Sequence, residues 1–439
     1  MKKVVSVKGI LDSRVEKIKP SKEVLNRVNG IYVEFKKELE GRIRKKGIEA
    51  EVFLGGSLAK GSLVKKDVYD VDVFVRFDKK YGDEGVSGLL GKVLGRGFKK
   101  VHGSRNYYQK MVDGVLIEVI PTIKINRPEE AENVTDLSYS HVRYLVKKLK
   151  GNVGLRDDIL LAKDLAHAQG VYGAESYING FSGYALELLV VHYGGLVKLM
   201  KAFAKFDFKK RKLVIDSAKS YGSEGEIMAV VNPSKKVGPV IMIDPTYKER
   251  NVVSGLSLDS LLRFQKVCRK FLANPSLKYF EMVKVGSSFK GKDDYVIVVK
   301  TDRQAGNIAG TKSKKFFGFV LSRLGKEFVV RKSGFEYDDI RNESRFYFRL
   351  SRKEDDLVKG PLVSDGKNAG RFRKVNESRG VKSLGKVTGV RGSGKVFEKD
   401  GYLYVKVKHS LTFDEWFSRF LKVDKKVIGE MGFIEVEKG

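Results

Sequence analysis

The amino-acid sequence predicts a multidomain protein of the α+β class. The chain has 439 residues, enough for two to four domains at roughly 100–200 residues each. Strand patterns surround a glycine-rich segment near the start, helical patterns dominate from about residue 140 to residue 272, and strands alternate with helices after that. Hydrophobic residues make up 42% of the chain, so a sizeable core is expected.

The first 133 residues are typical of a small α/β region. Pro20 and Ser21 open an amphipathic helical pattern that ends near Gly47. Strand patterns follow at 50–54, 68–77 and 115–120.

The rest of the chain divides into a helical part and a mixed part. Helices are predicted at 155–168, 183–205, 258–272, 314–324 and 413–421. Strands are predicted at 295–300, 328–332, 345–350 and 402–407. The glycine-rich, basic segment 366–395 is predicted to be a mobile loop. These patterns predict domains at 1–139, 140–275 and 276–439.

The charge balance favours a polyanionic partner. Lysine and arginine number 86 against 54 acidic residues, which gives a formal charge of +32. This excess is spread along the chain, as expected for nucleic acid or an anionic membrane face, although a basic surface can also serve solubility alone. The single cysteine, Cys268, excludes an internal disulfide and is expected to be a small buried residue. Since the chain has no apolar run of membrane-spanning length and no signal-peptide pattern, a cytoplasmic location and no membrane partner are expected.

Two aspartates on one predicted strand are the strongest chemical signal. In Asp70-Val71-Asp72-Val73, side chains alternate between faces, so the two carboxylates point the same way. Neighbouring carboxylates repel each other unless a cation lies between them, and such oxygen ligands suit Mg²⁺. Upstream, Gly55 and Gly56 permit close backbone approach to a phosphate, the Ser57 hydroxyl can donate to it, and Lys60 adds positive charge.

A third acid would complete the metal site. Glu118 lies in the middle of the apolar strand Leu116–Ile120 and is the candidate. Two metal ions held by three carboxylates can stabilise the attacking and leaving oxygens of a displacement at phosphorus. The alternative is an edge strand with solvated aspartates and an unrelated Glu118.

In these residues the chain resembles the polymerase-β-type nucleotidyltransferases. Among them it most resembles the archaeal class I CCA-adding enzymes. The resemblance rests on five stretches in the family's order. The first joins Gly56-Ser57, Asp70-x-Asp72 and Glu118, and the second joins Lys163 and residues 170–175. The other three are residues 180–189, Asp244-Pro245 together with residues 250–252, and residues 358–361.

The resemblance implies roles for further residues. Gly56, Ser57, Lys163 and Tyr172 would contact the triphosphate, and Lys60, proposed above for its charge, is a further nucleotide-binding candidate. Ser138 and His141 would lie beside the nucleotide, Arg250 would lie near the incoming base, and Asp70, Asp72 and Glu118 would hold two Mg²⁺ ions. Asp70 and Glu118 replace the family's usual glutamate and aspartate, so each carboxylate differs in reach by one methylene.

The implied fold is a polymerase-β-like nucleotidyltransferase head, a helical central domain and α+β C-terminal RNA-binding domains. The implied activity is template-independent addition of C, C and A to the 3′ end of tRNA from CTP and ATP. The partners would be the tRNA 3′ end and its acceptor and T-arm backbone, and a homodimer is expected by analogy. The alternatives are a poly(A) polymerase or 2′-5′ oligoadenylate synthase, and a non-catalytic RNA-binding protein.

Overall fold

The computed structural model describes residues 6–377, 391–409 and 411–439, which form two compact units. Unit 1 holds the described residues up to Ala174 together with Ile178–Met282, and unit 2 holds Glu175–Tyr177 together with Val283–Gly439. Both units combine helices with sheets, which confirms the predicted α+β multidomain class. The three predicted domain ranges are finer than this division, and their boundaries stay predictions.

The regular elements are given in chain order. The α-helices of the described residues are α1 (Val7–Ile18), α2 (Lys22–Lys45), α3 (Gly56–Lys60), α4 (Asp83–Leu94), α5 (Ser138–Leu149), α6 (Val153–Ala168), α7 (Gly183–Tyr193), α8 (Leu196–Lys205), α9 (Glu224–Val230), α10 (Leu258–Ala273), α11 (Gly306–Leu324), α12 (Gly366–Glu377), α13 (Phe413–Val423) and α14 (Lys425–Glu430). The strands are β1 (Ala50–Leu54), β2 (Tyr69–Phe77), β3 (Lys99–Val101), β4 (Tyr107–Val112), β5 (Val115–Ile123), β6 (Leu213–Ile215), β7 (Val240–Asp244), β8 (Tyr247–Asn251), β9 (Asp294–Lys300), β10 (Phe328–Asp338), β11 (Glu343–Arg352), β12 (Asp356–Leu362), β13 (Arg391–Lys399), β14 (Tyr402–Lys408) and β15 (Glu435–Lys438).

Five strands of unit 1 form one mixed sheet in the order β1-β2-β5-β4-β3. β2 lies antiparallel to β1 and parallel to β5, and β5 lies antiparallel to β4. Val71, Val73 and Val75 of β2 are fully buried in a core shared with α2 and α4. The other face of the first half of β2 stays partly open because successive strand residues point to opposite sides.

The helices that follow this sheet in unit 1 enclose a second apolar core. α6, α7, α8 and α10 supply most of its buried side chains. The Ser182 hydroxyl accepts a hydrogen bond from the Ala185 amide at 3.2 Å and caps α7, as its position predicts. Cys268 of α10 is fully buried in this core, which confirms that it acts as a small hydrophobic residue.

Unit 2 contains two antiparallel sheets, with strand orders β10-β11-β9-β15 and β12-β14-β13. Phe413, Trp416, Phe417 and Phe420 of α13 are buried against the first of these sheets and α11. The aromatic cluster near the C-terminus is therefore part of the core of unit 2. None of the helices in the described part of the chain combines the length and apolar character that crossing a membrane requires.

Two predicted elements were wrong. The helix predicted at 183–205 is two helices, because Gly194 and Gly195 between them adopt φ angles of 69° and 128°. Such angles favour glycine and end a helix.

The loop predicted at 366–395 is helical over Gly366–Glu377 and a strand over Arg391–Lys399, and the part between them lies outside the described residues. The Phe372 ring of α12 lies so close to Gly360 that a Cβ there would be 2.7 Å from it. α12 is therefore packed against β12. Because this contact joins separate elements of the fold, the basic and glycine-rich composition of the segment did not predict the helix.

Candidate active site

The three acids predicted as a metal site lie on one face of the five-stranded sheet. The strand register pairs Asp72 of β2 directly with Glu118 of β5, and Asp70 comes two residues before Asp72. Side chains of residues paired on neighbouring strands, and of residues two positions apart on one strand, point to the same face of a sheet. Because β2 has a neighbouring strand on each side, it is not the edge strand that the alternative interpretation required.

The charges of these acids act on one another. Burial, and then the charges of Glu118 and Asp70, raise the pKa of Asp72 to about 7. Burial also raises the pKa of Glu118 above its ordinary value. Like charges on a partly buried face are unfavourable unless positive charge compensates them. This face therefore favours the binding of a cation.

Two of the three acids are paired with neighbouring protein groups. The Lys66 ammonium forms an ion pair with Asp70, and the Gln109 side-chain amide donates to Glu118. As the side chains lie, no three His, Cys, Asp or Glu residues in the described ranges are grouped closely enough to hold an ion. Asp70 and Glu118 would have to turn from these partners to share a cation with Asp72. The donor chemistry, three carboxylates on one face, fits a hard divalent cation.

A glycine loop lies directly against Asp72. The Gly55 amide donates to the Asp72 carbonyl at 2.8 Å. Gly56 has a φ of 57°, and a Cβ there would lie 1.7 Å from the Asp72 Oδ2. A Cβ at Gly55 would likewise lie 2.1 Å from the Phe74 ring. Both glycines are therefore required for the loop to approach the acids.

A cleft of about 450 Å³ opens beside this loop and joins most of the predicted residues. Its lining includes Gly56, Ser57, Lys60, Asp70, Asp72, Lys163 and Tyr172. A cleft that holds carboxylates and ammonium groups together can bind phosphates along with a cation. The predicted residues Glu118, Ser138, His141 and Arg250 are not part of this lining.

Two lysines of the cleft share one buried carboxylate. Lys60 Nζ lies 2.6 Å from Glu187 Oε2, and Lys163 Nζ lies 2.7 Å from Glu187 Oε1. The Ser62 hydroxyl donates to Glu187 Oε1 at 3.1 Å and accepts from Lys163 at 2.9 Å. The lysine at position 163 is therefore not the solvated residue that a helix position predicts by default. It belongs to a closed polar network.

A second network joins His141 and Arg250 through Asp244. The fully buried Asp244 carboxylate accepts from His141 Nε2 at 2.9 Å and from Arg250 Nη1 at 2.7 Å. It also accepts from the Tyr184 hydroxyl at 3.1 Å and the Thr246 hydroxyl at 2.8 Å. The His141 and Tyr184 rings stack with centroids 4.1 Å apart. Two predicted residues are thus fixed by one acid.

The ionisation of this second network follows from its contacts. The donors around Asp244 hold the pKa of its carboxyl well below the usual range despite its burial. Burial lowers the pKa of His141 even though Asp244 favours its charged form. Since an ionised carboxylate only accepts, the neutral His141 must carry its proton on Nε2.

Helix packing places the second network beside the first. α5, which begins at Ser138 and carries His141 one turn later, packs against α3, which carries Lys60. Ser138, the first residue of α5, is partly buried. The predicted residues of unit 1 therefore fall into two adjoining groups.

Sequence interpretation missed Glu187 and Asp244 as functional residues. Both lay inside stretches that were singled out, but neither was assigned a role. Glu187 stands between Leu186 and Leu188 in an apolar helix, where a charge needs a buried partner. The same reasoning that identified Glu118 on its strand would have found it.

Comparison with known proteins points to one family. Residues 157–281 match the family model described as "tRNA nucleotidyltransferase, second domain". The chain is 40% identical to the CCA-adding enzyme of Nanoarchaeum equitans over 210 residues, which are 47% of this chain and 51% of that one. It is 29% identical to the Methanocaldococcus jannaschii enzyme over 389 residues, which are 84% of each chain. It is 32% identical to the Archaeoglobus fulgidus enzyme over 280 residues, 63% of this chain and 58% of that one.

The match therefore spans about half of the first relative and most of the second. The family-model match covers the segment that carries Lys163, Tyr172, Glu187, Asp244 and Arg250. The chain is a homologue of the archaeal CCA-adding enzymes, and its residues 157–281 match the model of the second domain of the tRNA nucleotidyltransferases.

Proposed function

We propose that this chain adds C, C and A to the 3′ end of tRNA, using CTP and ATP and no nucleic-acid template. The observation that carries the proposal is the cleft in which Asp70 and Asp72 lie together with the glycine loop and two lysines. Nucleotidyl transfer needs this combination, because the reacting phosphates are anionic and are activated by metal. The homology to CCA-adding enzymes supports the choice of substrates.

The proposed cofactor is Mg²⁺, bound as two ions by Asp70, Asp72 and Glu118. Nucleotidyltransferases generally use divalent metal ions. When bound, such ions neutralise charge on the α-phosphate and lower the pKa of the attacking 3′-hydroxyl. The excess negative charge on this sheet face supports the assignment.

The protein's own groups would bind and orient the triphosphate. The Ser57 hydroxyl and the backbone beside Gly56 would contact the phosphates next to Asp72. Lys60, Lys163 and Tyr172 would hold the β- and γ-phosphates and stabilise the charge of the departing pyrophosphate. The 3′-hydroxyl attacks the α-phosphorus, and the bond to the pyrophosphate oxygen breaks.

The second network would orient the nucleoside. Asp244 holds the Arg250 guanidinium and the His141 ring in fixed directions, so Arg250 can donate to a base or ribose, and His141 Nδ1 can accept from one, without reorganisation. Ser138, one turn before His141, would contribute its hydroxyl. Preorganised donors of this kind lose little conformational entropy on binding.

The proposed RNA partner is the 3′ end of tRNA with its acceptor and T-arm backbone. The formal charge of +32 supports a long contact with phosphates. A homodimer and a cytoplasmic location, both expected from the sequence, stay predictions.

The experiment that tests the function offers tRNA lacking its 3′ end to the protein with CTP, ATP or both. We expect two C residues with CTP alone, and two C residues followed by one A and arrest with both. Gel resolution of single-nucleotide products reads this directly. Unlimited addition of A would instead identify a poly(A) polymerase, 2′-5′ linkages an oligoadenylate synthase, and no incorporation with any divalent metal a non-catalytic RNA-binding protein.

Asp244→Asn is expected to raise the KM for ATP and CTP by about tenfold with a smaller change in kcat, since it removes charge-assisted hydrogen bonds worth about 1.5–3 kcal/mol each. The variant keeps the shape of Asp244 but releases Arg250 and His141. Steady-state kinetics with varied triphosphate measures the effect. Asp259→Asn, at an exposed ion pair with Arg263 in the same unit, is the matched control. Equal KM values for the two variants would contradict an orienting role for Asp244.

A further inference from the structure

Glu187 is a fully buried carboxylate in an apolar helix, held by groups from separate elements. Its side chain has no exposed surface, and its neighbours Leu186 and Leu188 are core residues. The two lysines that it binds come from α3 and from α6, and all three side chains line the cleft. A buried charge of this kind is costly unless its partners fully compensate it.

The charges in this network do not cancel. One carboxylate stands against two ammonium groups, so the group carries a net charge of +1 beside the cleft. Two ammonium groups alone would repel each other, and each would be free to adopt other rotamers. With Glu187 between them, both are fixed. Lys60 keeps N–H donors beyond the one that Glu187 accepts, whereas Lys163 also donates to the Ser62 hydroxyl and carbonyl and acts on the cleft through its charge. This is a preset pair of cations for an anion that spans more than one charged group.

We propose that Glu187 is a positioning residue that holds Lys60 and Lys163 in place for the β- and γ-phosphates of a nucleoside triphosphate. The inference rests on the proposed function and deepens it. It names a carboxylate through which the site would distinguish nucleoside triphosphates from nucleoside monophosphates. A ligand with one phosphate next to Asp72 would not reach this pair, and a triphosphate would. Lys60 and Lys163 touch the ligand, and Glu187 acts only through them.

The ionisation of Glu187 is consistent with this role. Burial by itself raises the pKa of a carboxyl, but the charges and hydrogen bonds of Lys163 and Lys60 lower that of Glu187 below its ordinary value. The carboxylate therefore stays charged and cannot donate a proton to a ligand.

The test compares ATP and AMP binding by isothermal titration calorimetry on the full chain, with Mg²⁺ and without RNA, so that no turnover occurs. Glu187→Gln is expected to weaken ATP binding about tenfold, because charge-assisted contacts are lost, and to change AMP binding less than about twofold. Glu187→Asp keeps the charge but shortens the side chain by one methylene. We expect its affinity for ATP to lie between the affinities of the wild type and of Glu187→Gln. Glu84→Gln, an exposed glutamate on α4, is the matched control.

Each outcome decides one question. Equal weakening of ATP and AMP, or unchanged ATP binding in both Glu187 variants, would show that Glu187 only stabilises the fold and would overturn the inference. If Glu187→Gln does not fold, Glu187→Asp carries the same comparison. In steady-state assays, the KM for ATP should rise by a larger factor than that by which kcat falls. A wild-type protein that binds neither ATP nor CTP would overturn the proposed function itself.

Discussion

Asp72→Asn is expected to reduce nucleotide incorporation by about 1,000-fold or more, because metal-assisted stabilisation of the transition state is the main catalytic term in such reactions. Asp72 is the central acid of the three, paired in register with Glu118 and preceded by Asp70 on the same face. Asparagine keeps the size of the side chain but loses its charge. The affinity for tRNA should change less than about twofold, since phosphate contacts elsewhere dominate RNA binding.

Single-turnover assays measure the rate of nucleotide incorporation, and filter binding measures the affinity for tRNA. Asp67→Asn is the matched control, since Asp67 is an exposed aspartate in the loop that leads into β2. A variant Asp72→Asn that adds nucleotides at the wild-type rate would refute the assignment of the catalytic acids.

Metal binding gives a readout for the same variant that does not depend on activity. Millimolar Mg²⁺ should raise the melting temperature of the wild type by about 2 °C or more, because a ligand that binds only the folded state stabilises it. Asp72→Asn should show no such rise. Without metal, the variant should be at least as stable as the wild type, because it removes repulsion from Glu118 and Asp70. Equal metal responses would place the ion elsewhere.

Arg105→Met is expected to lower the free energy of unfolding by about 3–5 kcal/mol, the usual cost of breaking a buried ion pair by removing one partner. The Arg105 side chain is 2% exposed, and Nη1 lies 2.5 Å from Asp136 Oδ1, a fully buried atom. Arg105 also donates to the Pro121 carbonyl at 3.1 Å and to Asp83 from Nε at 2.9 Å. It therefore ties β5 to α4 and to the turn before α5.

The loss is large because Asp136 would remain buried without its cation. Asp136 also accepts from the Ile123 amide at 2.7 Å and from the Asn133 amide at 3.1 Å, and these two bonds do not compensate a buried charge. Urea unfolding followed by circular dichroism measures the change. Arg96→Met, at an exposed arginine after α4, should change stability by less than about 0.5 kcal/mol. A similar result for Arg105→Met would show that Asp136 finds another partner.

Local pattern predicted the centre of the site well. The alternation of aspartate and valine in β2 placed Asp70 and Asp72 on one face, because side-chain direction in a strand depends only on position along it. Gly55 and Gly56 were predicted to permit close approach to a phosphate, which stays a prediction; the structure shows that they are needed for close approach to Phe74 and Asp72. The metal ligands and the nucleotide contacts themselves stay predictions.

Partners distant in sequence were not predictable from local pattern. Asp244 and His141 are joined across 103 positions, and Glu187 and Lys60 across 127. Nothing in a local pattern indicates which acid meets which base once helices pack. The break between α7 and α8 is a different case. Two adjacent glycines, Gly194 and Gly195, indicated the end of a helix, but the apolar pattern continued on both sides of them and one long helix was predicted.

The parallel pairing of β2 with β5 determines which changes in chain length the molecule can accept. Asp72 and Glu118 meet only because their strands are in register, while α4, β3 and β4 occupy the sequence between them. Additions at the turns of that connecting segment leave the register intact. One residue gained or lost inside β5 would swing Glu118 into the apolar side and bring a hydrophobic neighbour opposite Asp72. Natural variants in length are therefore expected at those turns and not within the two strands.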